Sequence, residues 1–509
     1  MNLGDIPRRN ARRFPNRSGL VFGETRLTWK QVNDRVNRLA NGLREMGLAK
    51  GNRVGLLAQN SHRYLEAYWA IAKAGLIAVP LNYRLVEREL VSLLDHAGCS
   101  TLLVGREHAS VVPALIDSVS RLRHTLELGD DYEALLAAHS ADEPPEVAGD
   151  NDPFAILYTS GTTGLPKGAV VSHRNLENNV FTQALADRSR NTDMNLTATP
   201  LYHMGALFMA TTYTYLGCTN VVLAQFDPEQ VLGTIERERI TVCLLVPTML
   251  NLLLNYERFG RHDLSSLRLI FYGGSLISVP VLRHAVQAIG CSFTQGYGLT
   301  ETIEATFLVA EDHVLDGDPD RERRLASAGR EAVNAEVRIV DDEGSDLKAG
   351  EIGTILVSSP SVIREYWSAP EETAASIRDG WFHTGDVGYL DEDRYLFVID
   401  RRKDVIISGG TNIYPKEIED VLYSHPAVLE VAVIGVPDDL WGESVKAFVA
   451  LKPGRSATEQ ELIELCRSNI ASYKRPRSIE FLASLPRNPS GKILKRELRA
   501  PYLATARSD

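Results

Sequence analysis

The chain alternates short β-rich runs with helix-length amphipathic stretches, and this alternation constrains its fold more than any other feature. The runs VGLLAQN, HRYLEAYWAIAKAG, LIAVPL, VERELVSLLDHAG and TLLVG follow one another from about residue 50. The same pattern recurs from NVVLA to SFTQGYG, up to about residue 296. Alternation of this kind is typical of βαβ units, in which helices cover a mainly parallel sheet.

The pattern changes twice beyond this region. Residues 333–357 alternate polar and apolar side chains between turns, which indicates a small antiparallel β section. Beyond Asp400 a separate cycle of helices and strands is long enough for a compact α+β domain. The predicted fold class is a large α/β N-terminal domain, with mainly parallel layered sheets plus the antiparallel section, and a smaller α+β C-terminal domain. We place the first domain at residues 1–400 and the second at 404–509.

Length and composition are those of a multidomain globular protein. A chain of 509 residues is too long for one ordinary core, and 44% of its residues are hydrophobic and 24% charged. No apolar run reaches the roughly 18 residues of a membrane span, and the N-terminus lacks the apolar segment of a secretory signal. We therefore expect a cytoplasmic protein. The net charge of -11 argues against nucleic acid as a partner, and the five scattered cysteines indicate buried thiols rather than disulfides.

The segment FAILYTSGTTGLPKGAVVSHRNL joins an apolar strand to a loop rich in glycine and hydroxylated residues, followed by a second strand and a helix. Glycines allow the backbone N–H groups to curl around a phosphate, while hydroxyls and a lysine add donors. The residues with this expected role are Thr159, Ser160, Gly161, Thr162, Thr163, Gly164 and Lys167. The loop is not a Walker A motif, because Pro166 stands five positions after Gly161. Taken alone, such a loop is equally typical of a polar turn.

The complete string TSGTTGLPKG resembles that of the adenylate-forming superfamily: acyl- and aryl-CoA synthetases, nonribosomal adenylation domains and firefly-type luciferases. Further motifs of the superfamily follow in order, so the resemblance covers nearly the whole chain. The closest overall likeness is to bacterial fatty-acyl-CoA synthetases of the FadD type. The resemblance implies that the loop holds the β- and γ-phosphates of ATP.

A second motif is QGYGLTE, residues 295–301, which is similar to the superfamily's adenine-binding segment. The resemblance implies that the Tyr297 ring packs on adenine, Thr300 contacts the α-phosphate and Glu301 binds Mg²⁺. An aromatic face, a hydroxyl donor and a hard carboxylate oxygen suit these roles. The motif is not a dinucleotide fingerprint, since Glu301 stands where the third glycine would be. With the upstream segment YGGSLIS, the implied nucleotide contacts are Gly273, Gly274, Ser275, Gln295, Gly296, Tyr297, Gly298 and Thr300.

A third group of motifs spans the boundary between the two expected domains. Asp386 in TGD and Arg401 match the superfamily's ribose-binding pair. Lys403 matches the hinge about which a mobile C-terminal domain turns, so residues 401–403 are the expected hinge. Ser408, Gly409 and Gly410 resemble the segment that lines the pantetheine tunnel for coenzyme A. Read alone, these strings are ordinary surface turns.

The last motif, LPRNPSGKILKRELR, contains Lys492. Read alone it is a solvated lysine, but in this context it resembles the catalytic lysine that bridges the substrate carboxylate and the α-phosphate. A fixed cation relieves the repulsion between two anionic reactants and stabilises the transition state. The stretch ASYKRPRSIEF is similar to the family's CoA-contacting stretch, which implies that Tyr473, Lys474 and Arg475 meet the CoA phosphates.

The acyl pocket is the least specific part of the site. His203 occupies a position where the family carries His or an aromatic residue beside this pocket, although a satisfied core histidine fits the apolar stretch almost as well. Residues 202–215 (YHMGALFMATTYTY) offer apolar and aromatic walls without a fixed charge for a second carboxylate. We therefore expect a monocarboxylic acid, fatty or alicyclic, with an aryl or cinnamic acid as the alternative.

The resemblance implies an ATP-dependent acid:CoA ligase that uses Mg²⁺ and coenzyme A. The acid would first become an acyl-AMP, with catalytic roles for Lys492, Thr300, Lys167 and His203, and the C-terminal domain would then turn about Lys403 for transfer to CoA. Three other interpretations stay open: an adenylation enzyme that loads a separate carrier protein, a luciferase-type oxygenase, and a non-catalytic binding protein. A homodimer is also left open.

Overall fold

A computed structural model describes residues 2–159, 166–438, 440–487 and 493–505. Within these ranges the chain forms four β-sheets with α-helices packed around them. The strands, numbered along the chain, are β1 Ser18–Phe22, β2 Thr25–Thr28, β3 Arg53–Leu57, β4 Ile77–Pro80, β5 Cys99–Val104, β6 His124–Glu127, β7 Pro153–Thr159, β8 Lys167–Ser172, β9 Met194–Thr197, β10 Thr219–Val222, β11 Val242–Leu244, β12 Leu269–Gly273, β13 Ser292–Leu299, β14 Ile303–Leu308, β15 Arg330–Glu331, β16 Glu336–Val340, β17 Gly353–Ser358, β18 Ile377–Arg378, β19 Trp381–Leu390, β20 Leu396–Arg401, β21 Ile406–Ser408, β22 Thr411–Ile413, β23 Val428–Asp438, β24 Gly442–Leu451 and β25 Ser478–Phe481.

The helices alternate with the strands over most of the chain. They are α1 Ile6–Arg13, α2 Trp29–Glu45, α3 His62–Lys73, α4 Glu87–Ala97, α5 Val112–Ser118, α6 Asp130–Ala138, α7 His173–Ala186, α8 Met204–Leu216, α9 Pro228–Glu238, α10 Pro247–Leu254, α11 Val279–Ile289, α12 Pro319–Arg323, α13 Pro370–Ser376, α14 Pro415–Tyr423, α15 Glu459–Asn469 and α16 Lys495–Thr505. Among the described residues, no helix is both long and apolar enough to cross a lipid bilayer.

Two large, mainly parallel sheets build the first part of the chain. One has the strand order β6-β5-β3-β4-β7-β8, and the other β15-β14-β13-β12-β11-β9-β10-β1-β2. Their central strands pair in parallel, and antiparallel pairs lie towards the edges, such as β8 beside β7 and β14 between β13 and β15. The layered parallel sheets expected from the alternating pattern are confirmed.

The third sheet is antiparallel, in the order β16-β17-β19-β18 with β20 beside β19. It contains the segment 333–357 predicted to be antiparallel and extends that section to Arg401. The fourth sheet, β22-β21-β24-β23 with β25 beside β24, lies with α14, α15 and α16 in the C-terminal part, as the predicted α+β cycle requires.

One apolar cluster joins the two large sheets into a single body. It contains buried residues of β3 and β7 from one sheet and of β11 and β12 from the other, together with helices α2, α3 and α8. Helix α8 is apolar on nearly every side, so it is buried among other elements rather than facing water. The C-terminal sheet has a cluster of its own, built around Ile418, Val431 and Leu462.

The C-terminal part also touches the body through side-chain hydrogen bonds. The Asn251 side-chain amide donates to the Leu429 carbonyl oxygen at 3.1 Å. The Lys416 ammonium donates to the Ile277 carbonyl oxygen, also at 3.1 Å. Helices α10 and α14 therefore lie at the boundary between the two parts.

Candidate active site

The segment expected to bind phosphate begins and ends on two neighbouring strands. Strands β7 and β8 pair antiparallel with Thr159 opposite Lys167, so the two ends of the expected loop lie side by side. A Cβ atom on Gly168 would come within 2.8 Å of the Ile156 side chain, which accounts for glycine at this close approach. The loop residues Ser160, Gly161, Thr162, Thr163 and Gly164 lie outside the described residues.

Glu301 meets this strand pair although it is 142 residues away in sequence. Its Oε1 accepts hydrogen bonds from the Thr159 hydroxyl at 3.3 Å and from the Tyr366 hydroxyl at 2.9 Å. The Lys167 ammonium lies 5.2 Å from the centroid of the Tyr366 ring. A buried carboxylate is thus held by two hydroxyl donors beside the cation that ends the loop.

Tyr366 is a site residue that the sequence did not reveal. It lies in the connection after β17, where its backbone bridges to Ala169 of β8. Burial, reinforced by the Glu301 carboxylate, raises the pKa of Tyr366, so its hydroxyl remains a proton donor. A lone aromatic residue in a connecting segment belongs to no motif, and only the pairing of this segment with β8 brings it to Glu301.

The expected ribose-binding pair forms a second polar group. Asp386 on β19 lies directly opposite Arg401 on β20, whose guanidinium Nε is 2.7 Å from Asp386 Oδ1. The Tyr297 hydroxyl donates to the other carboxylate oxygen at 2.7 Å. Burial and the nearby Asp386 raise the pKa of Tyr297 well above its ordinary value, so this donor persists. Each carboxylate oxygen keeps a second lone pair, which fits the hydroxyls of a ribose.

Bare backbone lines the segment assigned to adenine. Gly273 and Gly296 face each other across β12 and β13, and a Cβ on Gly273 would lie 2.5 Å from the Gly296 carbonyl oxygen. A Cβ on Gly298 would overlap the Ile303 carbonyl group. The neighbouring Gln295 Oε1 is buried and has no hydrogen-bond partner among the described residues. An unsatisfied amide next to bare backbone fits a planar polar ring such as adenine.

The chain turns sharply after the expected metal ligand. Ile303 has a φ of 53°, a left-handed conformation that is strained for a β-branched residue. Strand β14 begins at this residue, which allows it to return beside β13. Gly274 and Ser275 follow the end of β12, and the half-buried Thr300 directly follows β13.

The residues expected to meet coenzyme A lie on the C-terminal part. Ser408, Gly409 and Gly410 join β21 to β22, with positive φ at both glycines. A Cβ on Gly409 would come within 2.7 Å of the Trp441 ring, so this turn requires glycine. The other expected CoA contacts are an exposed Tyr473, a Lys474 that pairs with Glu417 at 2.7 Å, and an exposed Arg475.

Of the expected hinge lysine and the expected catalytic lysine, the structure describes only the first. Lys403 lies in the short turn that follows β20, between Arg402, which pairs with Asp342 at 2.7 Å, and Asp404. Lys492 lies outside the described residues. Helix α16 begins three positions further on, and Lys495 pairs with Glu419 of α14 at 2.8 Å.

His203 precedes helix α8 and packs against Tyr202, with ring centroids 4.4 Å apart. Burial lowers its pKa to about 4, and its Nε2 has no partner among the described residues. The ring is therefore neutral at physiological pH and supplies no positive charge.

The strand pair β7–β8 with the buried Glu301 beside it, and the buried Asp386 held by Arg401 and Tyr297, are the arrangement expected of a nucleotide-binding α/β enzyme with a smaller C-terminal α+β part. The chain belongs to the AMP-binding enzyme family. The family model matches residues 7–367, and the model of the AMP-binding enzyme C-terminal domain matches residues 417–492.

Individual relatives cover almost the whole chain. Feruloyl-CoA synthase of an Amycolatopsis species is 41% identical over 98% of this chain and 99% of that protein. The fatty acid–acyl-carrier-protein ligase ScoC of Streptomyces coeruleorubidus is 39% identical over 94% of this chain and 92% of that protein. Among solved structures, the anthranilate CoA ligase AuaEII in complex with anthranoyl-AMP superposes with a TM-score of 0.93 at 29% identity, covering 99% of this chain and 98% of that one.

These similarities confirm membership of the adenylate-forming superfamily and the expected pairing of a large α/β domain with a smaller C-terminal domain. They also confirm, at the level of the family, the prediction of an AMP-forming ligase that depends on ATP and uses coenzyme A.

Proposed function

We propose that this protein joins a hydrophobic monocarboxylic acid to coenzyme A through an acyl-AMP intermediate. The observation that carries the proposal is the meeting of Glu301 with Thr159 and Tyr366, beside Lys167. It puts a hard anionic ligand next to the strand pair that presents the phosphate-binding loop. Such an arrangement suits a magnesium-bound triphosphate.

Magnesium fits this group because Glu301 offers carboxylate oxygens within a frame of hydroxyl donors, with lone pairs to spare. When bound, Mg²⁺ would neutralise charge on the phosphate oxygens. Thr159 and Tyr366 orient the carboxylate, Lys167 adds a fixed positive charge, and Asp386 with Arg401 holds the ribose.

The proposed reaction has two balanced steps. A carboxylate oxygen of the acid attacks the α-phosphorus of ATP, and pyrophosphate leaves. The CoA thiol then loses its proton and attacks the acyl carbon, and AMP leaves. In the first step Lys492 lies between the two anionic reactants, with Thr300 at the α-phosphate. We place the change between steps in a rotation of residues 404–509 about Lys403, which presents Gly409 and Gly410 to the pantetheine arm.

The acyl side of the site supports a hydrophobic acid. Helix α8 is buried along most of its length, and its Phe208 contacts Phe271 of β12 edge to face, with centroids 5.7 Å apart. These walls suit a fatty or alicyclic chain as well as an aromatic ring. The similarity to feruloyl-CoA synthase favours an aryl acid as the second candidate.

A carrier protein is the alternative acceptor. The similarity to the fatty acid–acyl-carrier-protein ligase ScoC is the specific observation in its favour. In that case the acyl group would pass to the phosphopantetheine arm of a separate protein, and free CoA would not accept it.

The test is pyrophosphate release from the purified protein with ATP, Mg²⁺ and a panel of fatty, alicyclic and aromatic acids, followed by mass spectrometry of the products with and without free CoA. We expect acid-dependent pyrophosphate release without CoA and acyl-CoA when CoA is present. Acyl-AMP that persists in the presence of CoA would favour the carrier-protein alternative. Absence of acyl-AMP with every acid would contradict the proposed function.

A further inference from the structure

A buried carboxyl group lies beside Phe271, a residue of the proposed acyl wall, and has no role in the proposed chemistry. Glu304, on β14, is 8% exposed, and its Oε2 has no hydrogen-bond partner among the described residues. An unsatisfied acid in an apolar surrounding destabilises a fold, so its presence calls for a physical reason.

The carboxyl group of Glu304 occupies space that a glycine leaves open. Gly298 pairs with Glu304 across β13 and β14, and a Cβ placed on the nearby Gly296 would overlap both Glu304 Oε2 and the Phe271 ring. The carboxyl oxygen and the ring therefore share the space above Gly296. Phe271 in turn contacts Phe208 of α8 and Phe307 of β14, with centroids 5.7 and 6.5 Å apart. Glu304 thus lies beside Phe271, which the proposed function places in the aromatic wall of the acyl site.

Other polar groups stand behind Glu304 on helix α7. Asn179 is fully buried, its side-chain oxygen accepts from the Glu304 backbone N–H at 3.3 Å, and its Nδ2 has no partner in the described part of the chain. One helical turn further, Gln183 donates to Asp187. Asp187 Oδ1 is likewise buried without a partner in the described ranges. The carboxyl group of Glu304 lies in front of these α7 side chains, beside Phe271.

The protonation of Glu304 indicates the kind of group that it can meet. Burial, and to a lesser extent Asp187, raises the pKa of Glu304 to about 8. At neutral pH the group is mostly an uncharged acid, which both donates and accepts a hydrogen bond. A second carboxylate on the substrate would be repelled by the ionised group above this pH.

We propose that Glu304 selects acids that carry an uncharged hydrogen-bonding group, such as a hydroxyl, at the end remote from the reacting carboxylate. The inference rests on the proposed function, because it assigns the acyl substrate of that same site. It narrows the substrate from any hydrophobic acid to a hydroxylated one, with the ring or chain against Phe208 and Phe271 and the hydroxyl at Glu304. A site built to bond a substrate hydroxyl discriminates strongly against the analogue that lacks it.

The test compares pairs of acids that differ by one hydroxyl: 4-hydroxycinnamate with cinnamate, and a terminally hydroxylated fatty acid with its parent. For at least one pair, we expect the wild-type kcat/KM for pyrophosphate release to favour the hydroxylated member by about tenfold or more. Glu304→Leu should remove most of this preference. Glu304→Gln should keep part of it, because an amide also donates and accepts.

Asp187→Asn is the matched control, since it removes a second buried carboxyl from the polar side chains behind Glu304 and only the lesser of the two causes that raise the pKa of Glu304. It should leave the preference for the hydroxylated acid unchanged. Thermal melting and ATP affinity of each variant report whether the body has folded. Equal kcat/KM for both members of each pair in the wild type, an unchanged ratio in Glu304→Leu, or an equal change in Asp187→Asn would overturn the proposal.

A preference confined to acids with a terminal ammonium group would also overturn it, because the partner would then be charged. The proposed function fails in a different way: ATP binds, but no acid of any kind yields pyrophosphate. The two failures are therefore distinguishable.

Discussion

Tyr366 is a residue whose importance depends on one hydrogen bond. Its hydroxyl donates to Glu301 Oε1 at 2.9 Å, and Glu301 is the proposed Mg²⁺ ligand. Groups that orient a metal ligand contribute to metal affinity. We expect Tyr366→Phe to raise the Mg²⁺ concentration needed for half-maximal pyrophosphate release by about tenfold. A titration of the rate with Mg²⁺ at saturating ATP measures this shift.

The matched control is Tyr395→Phe. The Tyr395 side chain is buried, as that of Tyr366 is, and its hydroxyl donates to Asp312 at 2.7 Å. Each variant therefore removes one hydrogen bond from a buried tyrosine to a carboxylate. It should lower the melting temperature without changing the Mg²⁺ requirement. Equal shifts in both variants would show that Tyr366 acts through stability alone.

A substitution of Lys492 tests whether this residue acts in the first half-reaction and not in the second. Lys492→Ala should abolish acyl-AMP formation, because no other cation would stand between the carboxylate and the α-phosphate. It should leave thioester formation from supplied acyl-AMP nearly unchanged. Separate assays of the two half-reactions measure this, with the exposed Lys348→Ala as the control. Equal loss of both half-reactions would contradict the assignment.

The sequence identifies candidate site residues that lie in recognisable motifs. It misses those that only tertiary contacts bring to the site. Glu301, Asp386 and Arg401 stand in motifs, and the structure places each of them in a polar group. Tyr366 and Glu304 stand in no motif. They reach the site through the backbone bridge to Ala169 and the bulged pairing of β13 with β14, neither of which has a local signal.

At the scale of elements, the glycines of β12 and β13 set how closely the two strands approach each other. Gly273→Ala would push a methyl group to 2.5 Å from the Gly296 carbonyl oxygen, which forces the backbone apart. We expect a loss of about 1–3 kcal/mol in the free energy of unfolding, as for overpacked cores. ATP affinity should fall in the same variant, because the widened pair no longer presents the same surface.

Denaturant unfolding and calorimetric ATP titration measure the two effects. The control is Gly233→Ala in helix α9, where a Cβ meets nothing within 4 Å. There the substitution should stabilise the protein by about 0.5–1 kcal/mol, because alanine favours the helix. Unchanged ATP affinity in Gly273→Ala would show that the bare backbone does not contact the nucleotide.

The same elements show what a periodic pattern can predict about a fold. The β-rich runs identified the parallel strands, because buried parallel strands are apolar along their whole length. Their order in the sheets was not predictable, since β1 pairs with β10, a strand about two hundred positions further along, through contacts that form only in the folded state. Short edge strands such as β15, two residues long, are too brief to show a period.

At the scale of the whole molecule, buried titratable groups make stability depend on pH. Burial raises the pKa of Glu304 to about 8 and that of Asp187 to about 7. In the unfolded chain both carboxyls ionise near pH 4, so between pH 4 and 8 the folded state holds more protons than the unfolded state. Their contribution to stability is therefore present at low pH and is lost as the pH rises.

Buried histidines act in the opposite direction at lower pH. Burial lowers the pKa of His173, His203 and His313 to about 4, against an ordinary value of 6.5. Their contribution is present above pH 6.5 and is lost as the pH falls to 4. The two sets oppose each other below pH 6.5, whereas only the carboxyls act above it.

We therefore expect the free energy of unfolding to decline from pH 6.5 to 8, by at most ~1.4 kcal/mol per pH unit for each carboxyl. Urea unfolding at a series of pH values measures the slope. Glu304→Gln should flatten the curve between pH 7 and 8, because an amide does not titrate, while Asp187→Asn should leave that interval sloping. A flat wild-type curve over this range would mean that Glu304 already ionises at an ordinary pKa in the folded protein. Glu304 would then be a permanent anion, which in the proposed acyl site would select a cationic rather than a hydroxylated substrate.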